Sequence, residues 1–295
     1  MPTFPVRSSP PWHFRLAKWL IRNRIRGGFQ MIELGERMGW LDFDCRYKLS
    51  ERISVEVPLY RRVNQLALPD LLAYERPLVK LLTDNISSFP RPATWIDCGA
   101  DIGILTALVA AGCRQLKEII ALEPNPLPFA YLQRNLAQLP FPGRAVSSAA
   151  ADFRGRGTLA YSPQDPSDHS RFLAADEKGD LDVVRIDDLG VAPGEPLALK
   201  IDVEGGELAV LRGARQTLAH ASAWVVAFEA HREVFRRTGI DPCECVRYLG
   251  EIARVETKVA ERPDVRLDTD QPYFDQVSEK ITNVVCVRAP EITPG

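Results

Sequence analysis

No apolar run in the chain approaches the roughly 20 residues that a membrane-spanning helix needs. The N-terminus also lacks the uninterrupted apolar core of a secretory signal, so a soluble, cytoplasmic protein is expected. Cysteine is sparse and scattered: Cys45, Cys98, Cys113, Cys243, Cys245 and Cys286 show none of the dense spacing of a secreted disulfide framework. Cys243 and Cys245 form the one close pair, and neither a second pair nor a histidine cluster stands nearby to complete a zinc site. A surplus of one charge is missing too. With 37 basic and 39 acidic side chains the formal net charge is -2, which excludes a polybasic nucleic-acid binder and an acidic disordered tail. No internal repeat is present. The 295 residues, 45% hydrophobic and 26% charged, can bury a substantial core, as one large domain or as a domain with an appendage.

One local absence is informative. From Met1 to Gln30 there is no acid, while Arg7, Arg15, Lys18, Arg22, Arg24 and Arg26 alternate with Trp12, Phe14, Leu16, Trp19, Leu20 and Ile21. This predicts a basic amphipathic helix. It either adheres peripherally to an anionic membrane surface or anionic substrate, or packs its apolar stripe on the rest of the protein with the basic face in water. Packing is preferred, because apolar residues at helical spacing mostly mean burial. Alternation through Ile53, Val55, Val57 and Leu59 predicts a strand pair over 46–60 that ends at Pro58. A helix is expected over 70–82, broken by Phe89-Pro90-Arg91-Pro92. The boundary therefore falls near 66–75, with a small helical and β cap over 1–73 and the main domain over 74–290.

Beyond Pro92 strand and helix alternate. Strands are expected over 93–99, 118–123, 143–151, 158–161, 182–186, 196–202, 223–229, 254–259 and 281–287, and helices over 104–111, 126–139, 207–218 and 241–252. A polar loop covers 162–180. This alternation predicts an α/β fold, doubly wound around a mostly parallel, Rossmann-like sheet.

The first strand runs into Trp95-Ile96-Asp97-Cys98-Gly99-Ala100-Asp101-Ile102-Gly103 and turns at once into an apolar helix. Glycines there allow a tight turn and close approach to a ligand, and Glu123 stands on the next strand where such folds hold ribose hydroxyls. A dinucleotide pyrophosphate is repelled by Asp97 and Asp101, whereas the sulfonium and ammonium of S-adenosylmethionine are attracted. The spacing also departs from the three-glycine dinucleotide fingerprint.

A second stretch, Leu199-Lys200-Ile201-Asp202-Val203-Glu204-Gly205-Gly206-Glu207, ends a strand in carboxylates and opens a helix. Acids at such a turn lie in the crevice where α/β ligands bind. Lys200 inside a covered strand is costly unless it is paired. Glu207 reads simply as an acid at a helix start.

The strings IDCGADIG, LEPNP, LKIDVEGGELAVLRGA and FEAH resemble the FkbM-type methyltransferases, a branch of the S-adenosylmethionine-dependent enzymes, over roughly 74–287. The resemblance implies a seven-stranded methyltransferase sheet and S-adenosyl-L-methionine as cofactor. By it, Asp97, Gly99 and Gly103 shape the methionyl pocket, Glu123, with Pro124 and Asn125 beside it, holds the ribose, and Ser148 and Asp152 lie near the adenine. Asp101 stands where asparagine is common in the family. Tyr74-Glu75 matches an aromatic-acid pair that often precedes the first strand, with a helix-surface acid as the alternative.

Methyl transfer to an alcohol needs a base that takes the hydroxyl proton. The candidates at the ends of neighbouring strands are Asp202, Glu204, Glu229 and His231. Asp202 or His231 is expected to be the base, with Lys200 and Glu229 as a buried orienting pair. A divalent metal at Asp202, Glu204, Glu229 or His231 is an alternative that is not predicted, and Asp168 and His169 in the polar loop read as solvated. The resemblance implies O-methylation of a sugar, polysaccharide or secondary metabolite, so the expected partner is a small-molecule or glycan acceptor. A nucleic acid is not expected, because basic residues cluster only in the N-terminal helix. An NAD-dependent oxidoreductase and a non-catalytic cofactor-binding scaffold are the competing functions.

Overall fold

Residue alternation sorts the central strands between two cores. In Ala93–Cys98 every residue is buried; Ala93 and Trp95 join one apolar cluster, Ile96 and Cys98 the other. A parallel strand covered on both faces needs such a near-continuous apolar run. The computed structural model describes residues 5–58, 73–161 and 171–289.

In chain order the N-terminal elements are β1 (Val6–Arg7), α1 (Trp12–Arg22), α2 (Gly28–Arg37), β2 (Asp44–Lys48) and β3 (Ser54–Pro58). Next come α3 (Arg76–Ser88), β4 (Ala93–Cys98), α4 (Ile104–Gly112), β5 (Leu116–Leu122), α5 (Pro126–Leu136) and β6 (Gly143–Val146). A β-rich insertion holds β7 (Ala149–Ala150), β8 (Gly155–Tyr161), β9 (Arg171–Ala175) and β10 (Leu181–Val184). The chain closes with β11 (Leu197–Ile201), α6 (Glu207–Arg212), α7 (Arg215–His220), β12 (Trp224–His231), α8 (Arg232–Thr238) and α9 (Pro242–Ile252). β13 (Val255–Val259), α10 (Tyr273–Gln276) and β14 (Ile281–Arg288) follow.

The main sheet has seven strands in the order β13-β14-β12-β11-β4-β5-β6. All pairings are parallel except those of β14, which runs antiparallel to β12 and β13. The expected doubly wound sheet is therefore present. Its order reverses at β4, with β5 to one side and β11 to the other, which opens a crevice at their carboxyl ends. α4 is apolar on every side, as a helix sealed between layers must be. α9 starts on Pro242 with a capping box between Asp241 and Glu244.

Several elements depart from the sequence expectation. The 143–151 strand is two strands: β6 ends at Val146, and β7 belongs to a separate four-stranded sheet ordered β7-β10-β8-β9. The end of the expected polar loop, 171–175, is β9, while Asp168 and His169 lie outside the described residues. The 207–218 helix breaks into α6 and α7 because Gly213 meets backbone: a Cβ there would stand 2.0 Å from the Ala151 carbonyl oxygen. The helix expected over 70–82 is α3, set six residues later by Pro77 in its first turn; 70–72 lie outside the described residues. The basic N-terminal helix is a pair, α1 and α2, folded at Gly27, whose φ is +104°. Only part of its apolar surface packs: Phe14 and Ala17 are buried, but Trp12 and Trp19 are exposed.

β1, β2 and β3 form a three-stranded sheet, and Phe43, Cys45, Val55 and Val57 share one apolar cluster with α3, α4 and α5. Asn135 of α5 ties the layers together. Its amide oxygen accepts the Glu56 N–H at 2.7 Å and its amide nitrogen donates to the Ile102 carbonyl at 2.7 Å. All six cysteines are free and buried.

Candidate active site

The crevice is organised around a buried ionic chain beneath the loop that follows β4. Strand register places Lys200 of β11 directly beside Asp97 of β4. The Lys200 ammonium lies 3.5 Å from the Asp97 carboxylate and 3.1 Å from that of Asp202, and donates to the Gly99 carbonyl at 3.2 Å. Thr106 donates to the other Asp97 oxygen at 2.5 Å and accepts from the Trp95 indole at 2.9 Å. Burial acts against the charge on Lys200, but Asp202, Asp97 and Glu75 outweigh it and hold its pKa well above the ordinary value. Burial raises the pKa of Asp97, which Lys200 and Thr106 oppose.

This corrects two expectations. Lys200 pairs with Asp97 and Asp202 rather than with Glu229. On the β12 side its register neighbour is Ala227, and Glu229 stands one pleat further along. Asp97 does not border the cavity but lies beneath it, fully buried, where Lys200 offsets its charge. Asp97 is therefore no direct obstacle to a pyrophosphate; Asp101, at the cavity wall, is.

Gly99 is where the two halves of the site touch. Its φ is +75°, and a Cβ would stand 1.8 Å from the Asp202 carbonyl oxygen, so only glycine lets these two strand ends meet. Across the loop, Glu123 at the end of β5 accepts the N–H of Asp101 at 2.9 Å and of Asn125 at 2.8 Å. Burial and the nearby Asp101 push its carboxyl up to about 7 against these two hydrogen bonds.

A cavity of about 770 Å³ spans the crevice. Of the expected cofactor residues, Glu75, Gly99, Asp101, Glu123, Pro124, Asn125, Ser148 and Asp152 line it. Gly103 lies behind with Asp97, where it caps α4. Of the expected catalytic residues, Asp202, Glu204, Glu229 and His231 line the cavity, while Lys200 sits beneath them. Glu75, Asp101 and Glu204 have φ of +43°, +48° and +58°, so three non-glycine residues of this wall hold a left-handed backbone. Backbone strain of this kind gathers at ligand sites.

At the β12 end of the cavity, Glu229 Oε2 is 3.9 Å from His231 Nδ1. Burial, then Asp202 and Glu204, drive the Glu229 pKa well up. Burial and Lys280 lower that of His231, favouring its neutral ring, and neither ring nitrogen has a hydrogen-bond partner among the described residues. Carboxylate oxygens of Asp202, Glu204 and Glu229 lie within 4.8 Å of one another, a group that could hold a cation; of the four residues expected for one, His231 is not in it. Glu75 is raised to about 7, chiefly by burial. Glu207 does more than start a helix: its carboxylate accepts the Gly205 N–H at 3.0 Å and the Val203 N–H at 3.4 Å, fixing the loop that carries Glu204.

Sequence reasoning missed one wall of the cavity. Leu159, Leu173 and Ala175 come from the four-stranded sheet, and Phe153 from the turn between β7 and β8. The period-two spacing of Leu173 and Ala175, inside the expected polar loop, is the signal for it.

Residues 97–257 match the family model described as the methyltransferase FkbM domain. The chain is 26% identical to the hexuronic acid methyltransferase AglP of Haloferax volcanii over 204 residues, 68% of this chain and 75% of that protein. It is 28% identical to a Beauveria bassiana protein named methyltransferase 1 over 186 residues, 49% of this chain and 72% of that protein. Among solved structures, it matches a methyltransferase FkbM from Methylobacillus flagellatus with a TM-score of 0.42 and 18% identity, over 66% of this chain and 43% of that longer one. With its family model spanning the crevice from Asp97 through the β11 and β12 strand ends, this chain belongs to the FkbM methyltransferases.

Proposed function

We propose that the chain is an S-adenosylmethionine-dependent O-methyltransferase acting on the hydroxyl of a neutral sugar, polysaccharide or secondary metabolite. The observation that carries this is the cavity, continuous from Glu123 to His231 and lined with carboxylates, with no lysine or arginine among the described lining residues. When bound, the cofactor supplies a methyl group on a positively charged sulfur. The donor set suits it: Glu123 faces a ribose-binding position with its carboxylate already oriented by two N–H groups, and Glu75, Asp101 and Asp202 face the space for a cation.

His231 is the base in this reading. Its ring is biased toward the neutral form and both nitrogens, though buried, lack a hydrogen-bond partner among the described residues, whereas Asp202 is engaged by Lys200. Glu229 stands 3.9 Å from Nδ1, where it orients the ring as it takes the hydroxyl proton. Lys200 acts as a positioning residue, holding Asp202 and the Gly99 carbonyl in register. The hexuronic acid relative supports a glycan acceptor; the acidic lining favours an uncharged one.

The test is methyl transfer from labelled cofactor across a glycan and small-molecule acceptor panel, with calorimetry alongside. S-adenosylhomocysteine is expected to bind and NAD is not; transfer to no acceptor would leave the scaffold function standing. His231→Ala is expected to lower kcat about 10²–10⁴-fold with S-adenosylhomocysteine affinity retained, and unchanged turnover removes His231 as the base. The Asp202, Glu204 and Glu229 grouping favours a second reading with a divalent cation at the acceptor end, and loss of activity on chelation restored by Mg²⁺ selects it.

A further inference from the structure

The hairpin of α1 and α2 carries apolar surface on two opposite sides, and only one is used. Phe14 and Ala17 face inward and are buried. Trp12, Leu16 and Trp19, spaced by four and three residues, share the other face of α1 and are 68%, 40% and 55% exposed. In α2 and just beyond it, Phe29 is 61% and Met38 58% exposed. Gly28 lets the two helices close on each other: a Cβ there would stand 2.6 Å from Ile21 and 2.8 Å from the Ala17 carbonyl oxygen. The hairpin thus holds its outward aromatic side chains on a packed unit. Arg15, Arg22, Arg24 and Arg26 are exposed on the same hairpin, and the first acid of the chain is Glu33.

From this juxtaposition we propose that the α1–α2 hairpin docks the enzyme on the surface of an anionic phospholipid bilayer, with Trp12, Leu16, Trp19 and Phe29 entering the headgroup boundary and the arginines meeting lipid phosphates. Charge decides the occupant. Tryptophan and arginine are enriched in protein interfaces as well, but six basic residues with no acid before Glu33 match an anionic surface, the composition of interfacial helices. No helix among the described residues is long and apolar enough to cross a membrane, so the contact is peripheral. The cavity lies in the crevice of a different sheet and takes no part in it.

The test is cosedimentation of the full chain with vesicles of phosphatidylcholine alone and of phosphatidylcholine mixed with phosphatidylglycerol, with light scattering in their absence. Binding to the mixed vesicles, weakened by salt, is expected, with little on phosphatidylcholine alone. A Trp12→Ser, Trp19→Ser double variant is expected to lose that binding while keeping its circular dichroism and S-adenosylhomocysteine affinity. Arg15→Gln with Arg22→Gln weakens it roughly thirtyfold, the effect of two basic residues near a charged surface. No binding by the parent chain overturns the proposal, as does a double variant that binds like the parent. A parent dimer that the tryptophan variant dissociates also overturns it, by making this face a contact between copies of the chain.

Discussion

Lys200 is buried between two carboxylates, and the cost of removing it tests how the crevice is held. Lys200→Met leaves Asp97 fully buried beside Thr106 with no cation. Breaking a buried pair from one side costs about 3–5 kcal/mol, because the remaining charge is neither solvated nor paired. Denaturant unfolding is expected to show a loss of that size, and adding Asp97→Asn should recover part of it; a double variant no more stable than the single would refute the unpaired-charge account. Glu123 makes a pH prediction. Its carboxyl is raised from 4.5 to about 7, so between those values the folded chain holds a proton that the unfolded chain has released. The stability Glu123 contributes is complete below about 4.5 and is lost as pH rises through about 7. Glu123→Gln, which has nothing to release, should therefore gain stability relative to the parent as pH climbs across that window. Melting curves of the two proteins without ligand check this, and a constant difference between them contradicts it.

The break between α6 and α7 is set by packing rather than by propensity. Alanine at 213 would favour a continuous helix by about 1 kcal/mol in an isolated peptide. Here a Cβ would meet the Ala151 carbonyl oxygen at 2.0 Å, where the start of the four-stranded sheet crosses the main domain. Gly213→Ala should therefore destabilise the protein, lowering the urea midpoint; a rise would mean that the two segments can move apart. The same position explains what sequence could and could not reveal. β4, β11 and β12 were legible because each is an apolar run ending in polar residues, the pattern that a parallel strand under two layers imposes. The apolar pattern through Leu208, Val210, Leu211 and Leu218 reads as one helix, since nothing local shows that Gly213 touches a residue 62 positions earlier. Likewise Ala149 and Ala150 continue the apolar pattern of β6, and only pairing with β10 sends them to another sheet. Asp202, Glu229 and His231 could be placed at the cavity because strand ends are visible in a sequence. That Lys200 pairs with Asp97 and not Glu229 depends on the register between strands, which is not.

Across the whole molecule a net charge of -2 conceals a segregation of charge. Basic residues crowd the N-terminal hairpin, whereas Glu75, Asp101, Glu123, Asp152, Asp202, Glu204 and Glu229 all face the cavity. Lys200 lies beneath this surface and is committed to Asp97 and Asp202. Low-dielectric walls concentrate the field of such a cleft, raising the local concentration of cations and opposing anions. The burial that raises Glu75, Glu123 and Glu229 moderates the field by favouring protonation, yet an acceptor carrying its own carboxylate must still approach this wall without a facing lysine or arginine among the described residues. Juxtaposed like charges cost enough to separate substrates clearly. Between a neutral methyl glycoside and the corresponding uronate, the neutral sugar should therefore show the higher kcat/KM at low ionic strength, by at least about tenfold. Added salt should narrow the gap by screening the exposed part of the field. If the uronate is preferred, a cation held by Asp202, Glu204 and Glu229 must reverse the local charge, and that preference should then vanish on chelation.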